Sequence, residues 1–227
     1  QLALSLHSLM RTGGYGPSHP SPAQTHRHRL GHTPRNPLRI LLCSLGVVVQ
    51  TLEFQTHYDM EPLVSIIMGS TSDLPVMEKA AKFLNEMEIP FEMTALSAHR
   101  TPQEVEEFAQ NASARGLQVI IAGAGMAAAL PGVIAASTTV PVIGVPIKGM
   151  LDGLDALLSI VQMPPGIPVA TVGVNGAQNA AILAVEMLAL ADPEIAEKLT
   201  KYKEGLKQKI IKANADLADV QYEFKTN

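Results

Sequence analysis

The chain has 227 residues, 47% hydrophobic and 17% charged, which is enough apolar material for one domain with a well-buried core. Its formal net charge of −4 excludes broad binding to nucleic acid or to an anionic membrane, because both need a basic face. Its single cysteine, Cys43, excludes a disulfide framework, a Cys-based zinc site and a CxxC redox pair, and a reducing, cytoplasmic compartment is the expectation.

The first sixty residues differ from the rest. From Gln1 to Leu52 there is no Asp or Glu, while Arg11, Arg27, Arg29, Arg35 and Arg39 fall among clustered Pro, Ser and His. His7, His19, His26, His28, His32 and His57 all lie in this part. No period of two or 3.6 is sustained, so residues 1–60 are expected to be disordered or a spurious extension upstream of Met60. Two other readings compete: a transit peptide, which is also Arg-rich and acid-poor, and a histidine metal tract at HRHRLGH, which lacks a fixed scaffold. The apolar run Leu38–Val49 is too short to span a bilayer, which takes about 20 residues.

From Glu61 onward acidic residues outnumber basic ones and the pattern becomes regular. Val64–Met68 is a short apolar run, and helical periodicity follows from Pro75 to Met87. Phe91–Leu96 reads as a second strand. Thr101-Pro102-Gln103-Glu104 matches a capping box with proline in the first turn, opening a helix to about Ala114 with Gly116 as its stop. Val119–Ala122, Val142–Val145 and Val169–Val174 are further strands. Helices are predicted at Leu130–Ser137, Leu151–Val161, Ala177–Leu190 and, charged and amphipathic, Glu194–Leu217. Strands apolar on both faces, alternating with helices, predict a parallel sheet covered on both sides. The expected fold is therefore α/β, a three-layer α/β/α domain of flavodoxin-like kind over residues 61–227. An extra C-terminal helix is expected to pack outside it, on a neighbouring subunit.

In an open parallel sheet, ligands bind beyond the carboxyl ends of the strands. Three segments fall there. Gly69-Ser70-Thr71-Ser72-Asp73 offers backbone N–H groups and hydroxyls to a phosphate at a helix start, and Asp73 an acceptor for ribose hydroxyls. The alternative is that Ser72 or Asp73 only caps the helix. Ser97-Ala98-His99-Arg100-Thr101-Pro102 places the domain's only histidine beside one of its two arginines, Arg100 and Arg115. An imidazole shuttles protons near neutral pH, and a guanidinium binds phosphate or carboxylate through paired donors. The third segment, Gly123 to Gly132, contains Gly123-x-Gly125-x-x-Ala128. No Asp or Glu lies between Glu107 and Asp152, so the acidic residue that a dinucleotide site needs about 20 positions on is missing. The glycines instead let backbone approach a small ligand. With one histidine and no cysteine after residue 60, no metal site is expected.

These runs resemble the class I PurE family, the N5-carboxyaminoimidazole ribonucleotide mutases. The matching segments are MGSTSD (Met68–Asp73), SAHRTP (Ser97–Pro102), AGAGMAAALPG (Ala122–Gly132), PVIGVP (Pro141–Pro146), SIVQMPPGIPVATV (Ser159–Val172) and NGAQNAA (Asn175–Ala181). They cover Pro62 to the C-terminus in order.

The resemblance implies isomerisation of N5-carboxyaminoimidazole ribonucleotide to 4-carboxy-5-aminoimidazole ribonucleotide in purine (IMP) biosynthesis. It implies no cofactor and an octameric assembly. By the same resemblance His99 is the catalytic residue, and Ser70, Asp73 and Arg100 hold phosphate and ribose. Ser72, Ser97, Ala98, Gly123 and Gly125 complete the expected substrate-binding set. One departure is Ala129, where many bacterial members carry histidine; His99 would then act alone. Two rivals remain: a class II enzyme that carboxylates aminoimidazole ribonucleotide directly, and a non-catalytic nucleotide- or flavin-binding module. Flavin sites usually present aromatic rings, and the three loops contain none.

Overall fold

Five short apolar runs build one sheet. In the structure, a computed structural model that describes residues 60–226, these are β1 (Val64–Met68), β2 (Phe91–Ala95), β3 (Val119–Gly125), β4 (Val142–Ile147) and β5 (Ala170–Thr171). The expectation for residues 1–60 falls, Met60 apart, outside the described residues. All neighbouring strands run parallel, in the order β2-β1-β3-β4-β5. That is the strand order of flavodoxin-like folds. β1, β3 and β4 are rich in Val and Ile and almost wholly buried, as a strand covered on both faces must be.

The two covers come from alternate side chains of the same strands. Ile66 of β1 and Ile121 of β3 pack with Met77 and Leu84 of α1 (Leu74–Glu86) and Ala181 and Val185 of α5 (Ala177–Ala189). Their neighbours Ile67 and Ile120 face the other way, onto Val105 of α2 (Pro102–Asn111), Ile134 of α3 (Leu130–Ser137) and Ile160 of α4 (Leu154–Val161). Each fully buried Ile or Leu contributes about 1.5–3 kcal/mol, so the central strands hold the three layers together.

The last helix, α6 (Pro193–Ala218), starts cleanly: Asp192 Oδ1 accepts from the Glu194 and Ile195 N–H groups at 2.9 and 3.3 Å. It packs through Ile195, Leu199 and Tyr202, whose ring meets Phe83 edge-on at 4.9 Å. Lys198 pairs with Glu88, and Lys203 with Glu186. Further along, Leu206, Ile210 and Ile211 are exposed, so the helix leaves the three layers as expected.

Several boundaries differ from the sequence reading. β3 continues to Gly125 and β4 to Ile147, because the small residues after Ala122 and the proline at 146 still pair across the two strands. β5 is only two residues long, bonded to Ile143 and Gly144. α2 ends at Asn111; a turn follows, closed by Gly116 at φ 82°. α4 begins at Leu154 because Leu151, Asp152 and Gly153 take φ of 48°, 54° and 86°. The capping box at Thr101 does not form: its hydroxyl makes no cap bond. It instead accepts from Ser97 N–H at 2.9 Å and donates to the Ser97 carbonyl at 3.2 Å. Among the described residues no helix is long and apolar enough to cross a membrane.

Candidate active site

β1 sends the chain to β2 on one side, while β3 lies on the other. Loops leaving neighbouring strands therefore diverge and open a crevice at the carboxyl edge. A cavity of about 800 Å³ occupies it, within the size range of small-molecule sites.

The first wall follows β1. Gly69 N–H donates to the Gly123 carbonyl at 3.2 Å, which continues the sheet by one bond. Ser70 then caps a single 3-10 turn, Thr71–Asp73, its Oγ accepting from Ser72 N–H at 3.3 Å. The cap is thus Ser70, not Ser72 or Asp73; Asp73 makes no side-chain cap bond to α1. Burial pushes the Asp73 carboxyl above its usual range, against the Ser72 hydroxyl, the Ser70 backbone and the Arg100 charge, which pull it down. A half-buried carboxylate in a cavity wall regains solvation when a ligand donates to it.

The second wall follows β2. Thr101 and Arg100 donate their N–H groups to the Ser97 carbonyl at 2.8 and 3.2 Å, which closes a tight turn over Ala98 and His99. Arg100 reaches back across it: Nε donates to Ser97 Oγ at 3.3 Å and Nη2 to the Gly69 carbonyl at 2.7 Å. The guanidinium is held in place, and its other donors remain for an anion. His99 is exposed and lines the same cavity.

The third wall follows β3. Ala128 N–H donates to the Gly125 carbonyl at 3.0 Å, with Met126 and Ala128 at φ of 54° and 39°. Non-glycine residues in this region are strained, and such strain concentrates at ligand sites. Ala127, Ala128 and Ala129 present a small, apolar surface to the cavity. Gly125 lies beside them, where a Cβ would meet the Ile147 carbonyl at 3.4 Å.

Of the residues expected from the sequence, Ser70, Ser72, Asp73, Ser97, Ala98, His99, Arg100 and Gly125 all line this one cavity. Gly123 does not. A Cβ there would lie 2.5 Å from Met77 Sδ, so this glycine lets α1 close onto the sheet. Lys148 after β4 and Asn175 after β5 also line the cavity and were not singled out. Asn175 Oδ1 accepts from Lys148 N–H at 2.9 Å. The signal that would have found them is position alone: each lies just beyond an apolar run read as a strand. Among the described residues no group of three or more His, Cys, Asp or Glu is arranged to hold a metal ion.

Residues 63–209 match the family model described as AIR carboxylase. The N5-carboxyaminoimidazole ribonucleotide mutase of Pyrococcus abyssi is 64% identical over 148 residues, 65% of this chain and 85% of that protein. The mutase of Thermotoga maritima is 55% identical over 167 residues, 73% of this chain and 98% of its own. The crystal structure of Treponema denticola PurE superposes with a TM-score of 0.64 at 34% identity, covering 69% of this chain and 98% of that one. Likeness of this depth runs through the whole sheet and every loop at its carboxyl edge, and it makes the chain an enzyme of the AIR carboxylase, or PurE, family.

Proposed function

We propose that the chain is an N5-carboxyaminoimidazole ribonucleotide mutase of purine biosynthesis, an isomerase that works without a cofactor. The observation that carries this reading is the placement of His99. It is the sole histidine of the described residues, on one cavity wall with the anchored Arg100, and the alanine loop lines the same cavity. The mutase relatives support the same chemistry.

The open donors of Arg100 and the Ser70–Ser72 turn bind the phosphate, and Asp73 accepts from the ribose hydroxyls. In the first step the carbamate C–N bond breaks, its electron pair returns to nitrogen, and His99 donates a proton there. The released CO2 stays between the imidazole and Ala127–Ala129, a surface with no side-chain donor to hydrate it. C4 of the aminoimidazole then attacks CO2, and His99 takes the C4 proton, which restores the imidazolium. One imidazole acting as acid and then as base balances the cycle. With Ala at 129 no second imidazole enters from the third loop. Binding through phosphate and ribose holds the reacting atoms in place, so the remote contacts serve the chemistry.

In this reading the enzyme works in the cytoplasm as a homo-oligomer, with the octamer that the family resemblance implies. The exposed Leu158 and Val161 and the outer half of α6 provide the apolar surface for such contacts.

The test is to give the full chain N5-carboxyaminoimidazole ribonucleotide and, separately, aminoimidazole ribonucleotide with dilute bicarbonate. Fast 4-carboxy product from the carbamate supports the mutase. Fast product only from the second mixture makes the chain a direct carboxylase, and product from neither leaves a nucleotide-binding module.

A further inference from the structure

The cavity contains a second cation that the proposed chemistry leaves unused. Lys148 follows β4 and lines the cavity with Arg100. Ala95, Met68, Gly123 and Val145 form one row across the sheet. The loops carrying Arg100 and Lys148 therefore leave strands three spacings apart, about 14 Å.

The base of Lys148 is fixed. Asn175 Oδ1 accepts from its N–H at 2.9 Å, and Asn175 in turn donates its own N–H to the Pro146 carbonyl at 2.8 Å. The ammonium is not fixed so firmly. Its partner is Asp152 Oδ1 at 3.0 Å, and the two side chains are 57% and 87% exposed. An ion pair this open contributes little and is readily exchanged. Asp152 reaches it from a run of three left-handed residues, Leu151 to Gly153, a conformation that persists only where surrounding structure imposes it.

We infer that Lys148 binds the substrate's carboxylate at the end of the cavity away from Arg100, and that Asp152 neutralises Lys148 while the site is empty. This rests on the mutase reading, in which the ligand carries phosphate at one end and a carboxylate on its base at the other. Arg100, pinned by Gly69 and Ser97, suits the group that stays still. The carboxylate moves from the ring's amino nitrogen to C4, and a compact ammonium on a flexible stem can follow it where a planar guanidinium cannot. Lys148 transfers no proton in this scheme; it is a substrate-binding residue that shows no preference between the two carboxylate positions.

The test measures binding of two nucleotides to the full chain by calorimetry: the 4-carboxy product and uncarboxylated aminoimidazole ribonucleotide. Lys148→Met should weaken the carboxylated ligand about tenfold, the loss of one charge-assisted contact, and leave the uncarboxylated ligand unchanged. Asp152→Asn should tighten the carboxylated ligand alone. Equal losses for both ligands in Lys148→Met would overturn the inference, because a phosphate contact or a structural role moves both. If Lys148→Met does not fold, Asp152→Asn decides: no selective tightening overturns the inference. Wild-type protein that binds both nucleotides but forms no 4-carboxy product from N5-carboxyaminoimidazole ribonucleotide would sink the mutase reading and leave the selectivity measurement intact. Conversion with an unselective Lys148→Met would sink the Lys148 assignment alone.

Discussion

Arg100 Nη2 donates to the Gly69 carbonyl at 2.7 Å, so the turn after β2 is tied to the end of β1. The tie fixes one donor face of the guanidinium and leaves the other toward the cavity. Replacing Arg100 by Ala should weaken substrate binding about 10- to 100-fold, the scale of one or two charge-assisted bonds, with a smaller fall in kcat. Arg100→Lys should not restore affinity, because an ammonium cannot hold Gly69 and Ser97 and still present paired donors. An affinity equal to wild type in Arg100→Ala, measured by calorimetry, would remove it from phosphate recognition.

His99→Asn keeps a polar side chain of similar reach but cannot shuttle a proton at neutral pH. Turnover should fall at least 100-fold, the usual contribution of a general acid–base group, while the dissociation constant of the 4-carboxy product stays within a few-fold. Retained turnover would take His99 out of the mechanism.

The Asp73 carboxyl is raised, chiefly by burial. The folded protein therefore holds this proton more readily than the unfolded chain does. Below the unfolded value both states are protonated and nothing is lost. As pH rises through the carboxylate range, the ionised group makes the fold less stable, and the cost remains at neutral pH. Asp73→Asn should melt at pH 7 no lower than wild type, yet bind substrate more weakly because the ribose loses a charged acceptor. A lower Tm together with unchanged affinity would mean that Asp73 serves the fold and not the ligand.

Gly123→Ala sets a Cβ against Met77 Sδ at 2.5 Å, in a core where Met77 is fully buried. Overpacking of this kind costs roughly 1–3 kcal/mol. Urea unfolding should show that loss, and Met77→Ala should cost less stability in the Gly123→Ala chain than in wild type, because it also removes the clash. If Gly123→Ala instead keeps its stability and loses only substrate affinity, the glycine belongs to the cavity.

The sheet was legible because its central strands are covered on both faces. Val64–Met68 and Leu130–Ser137 lie where their apolar patterns place them. The apolar pattern ends β3 early because Gly123, Ala124 and Gly125 have the composition of a loop, although all three are paired in the sheet, with Val145, Pro146 and Ile147. Gly123 illustrates the limit of reading glycine from sequence: a ligand and a methionine sulfur exclude a Cβ equally well. Ser70, Asp73, His99 and Arg100 were visible because their side chains carry distinctive chemistry at strand ends. Lys148 and Asn175 were not, since a lone lysine after an apolar strand and an Asn-Gly pair usually mean a solvated loop. Only the strand order, which brings β4 and β5 to the same edge, gives them a part in the cavity.

The central claim is that CO2 released from the carbamate is recaptured inside this cavity. The most direct measurement supplies the full chain with N5-carboxyaminoimidazole ribonucleotide labelled with carbon-13 in its carboxylate, in excess unlabelled bicarbonate, and reads the label in the 4-carboxy product. Retention of most of the label is the predicted result. Product carrying only bicarbonate carbon would contradict intramolecular transfer and point to carboxylation from solution.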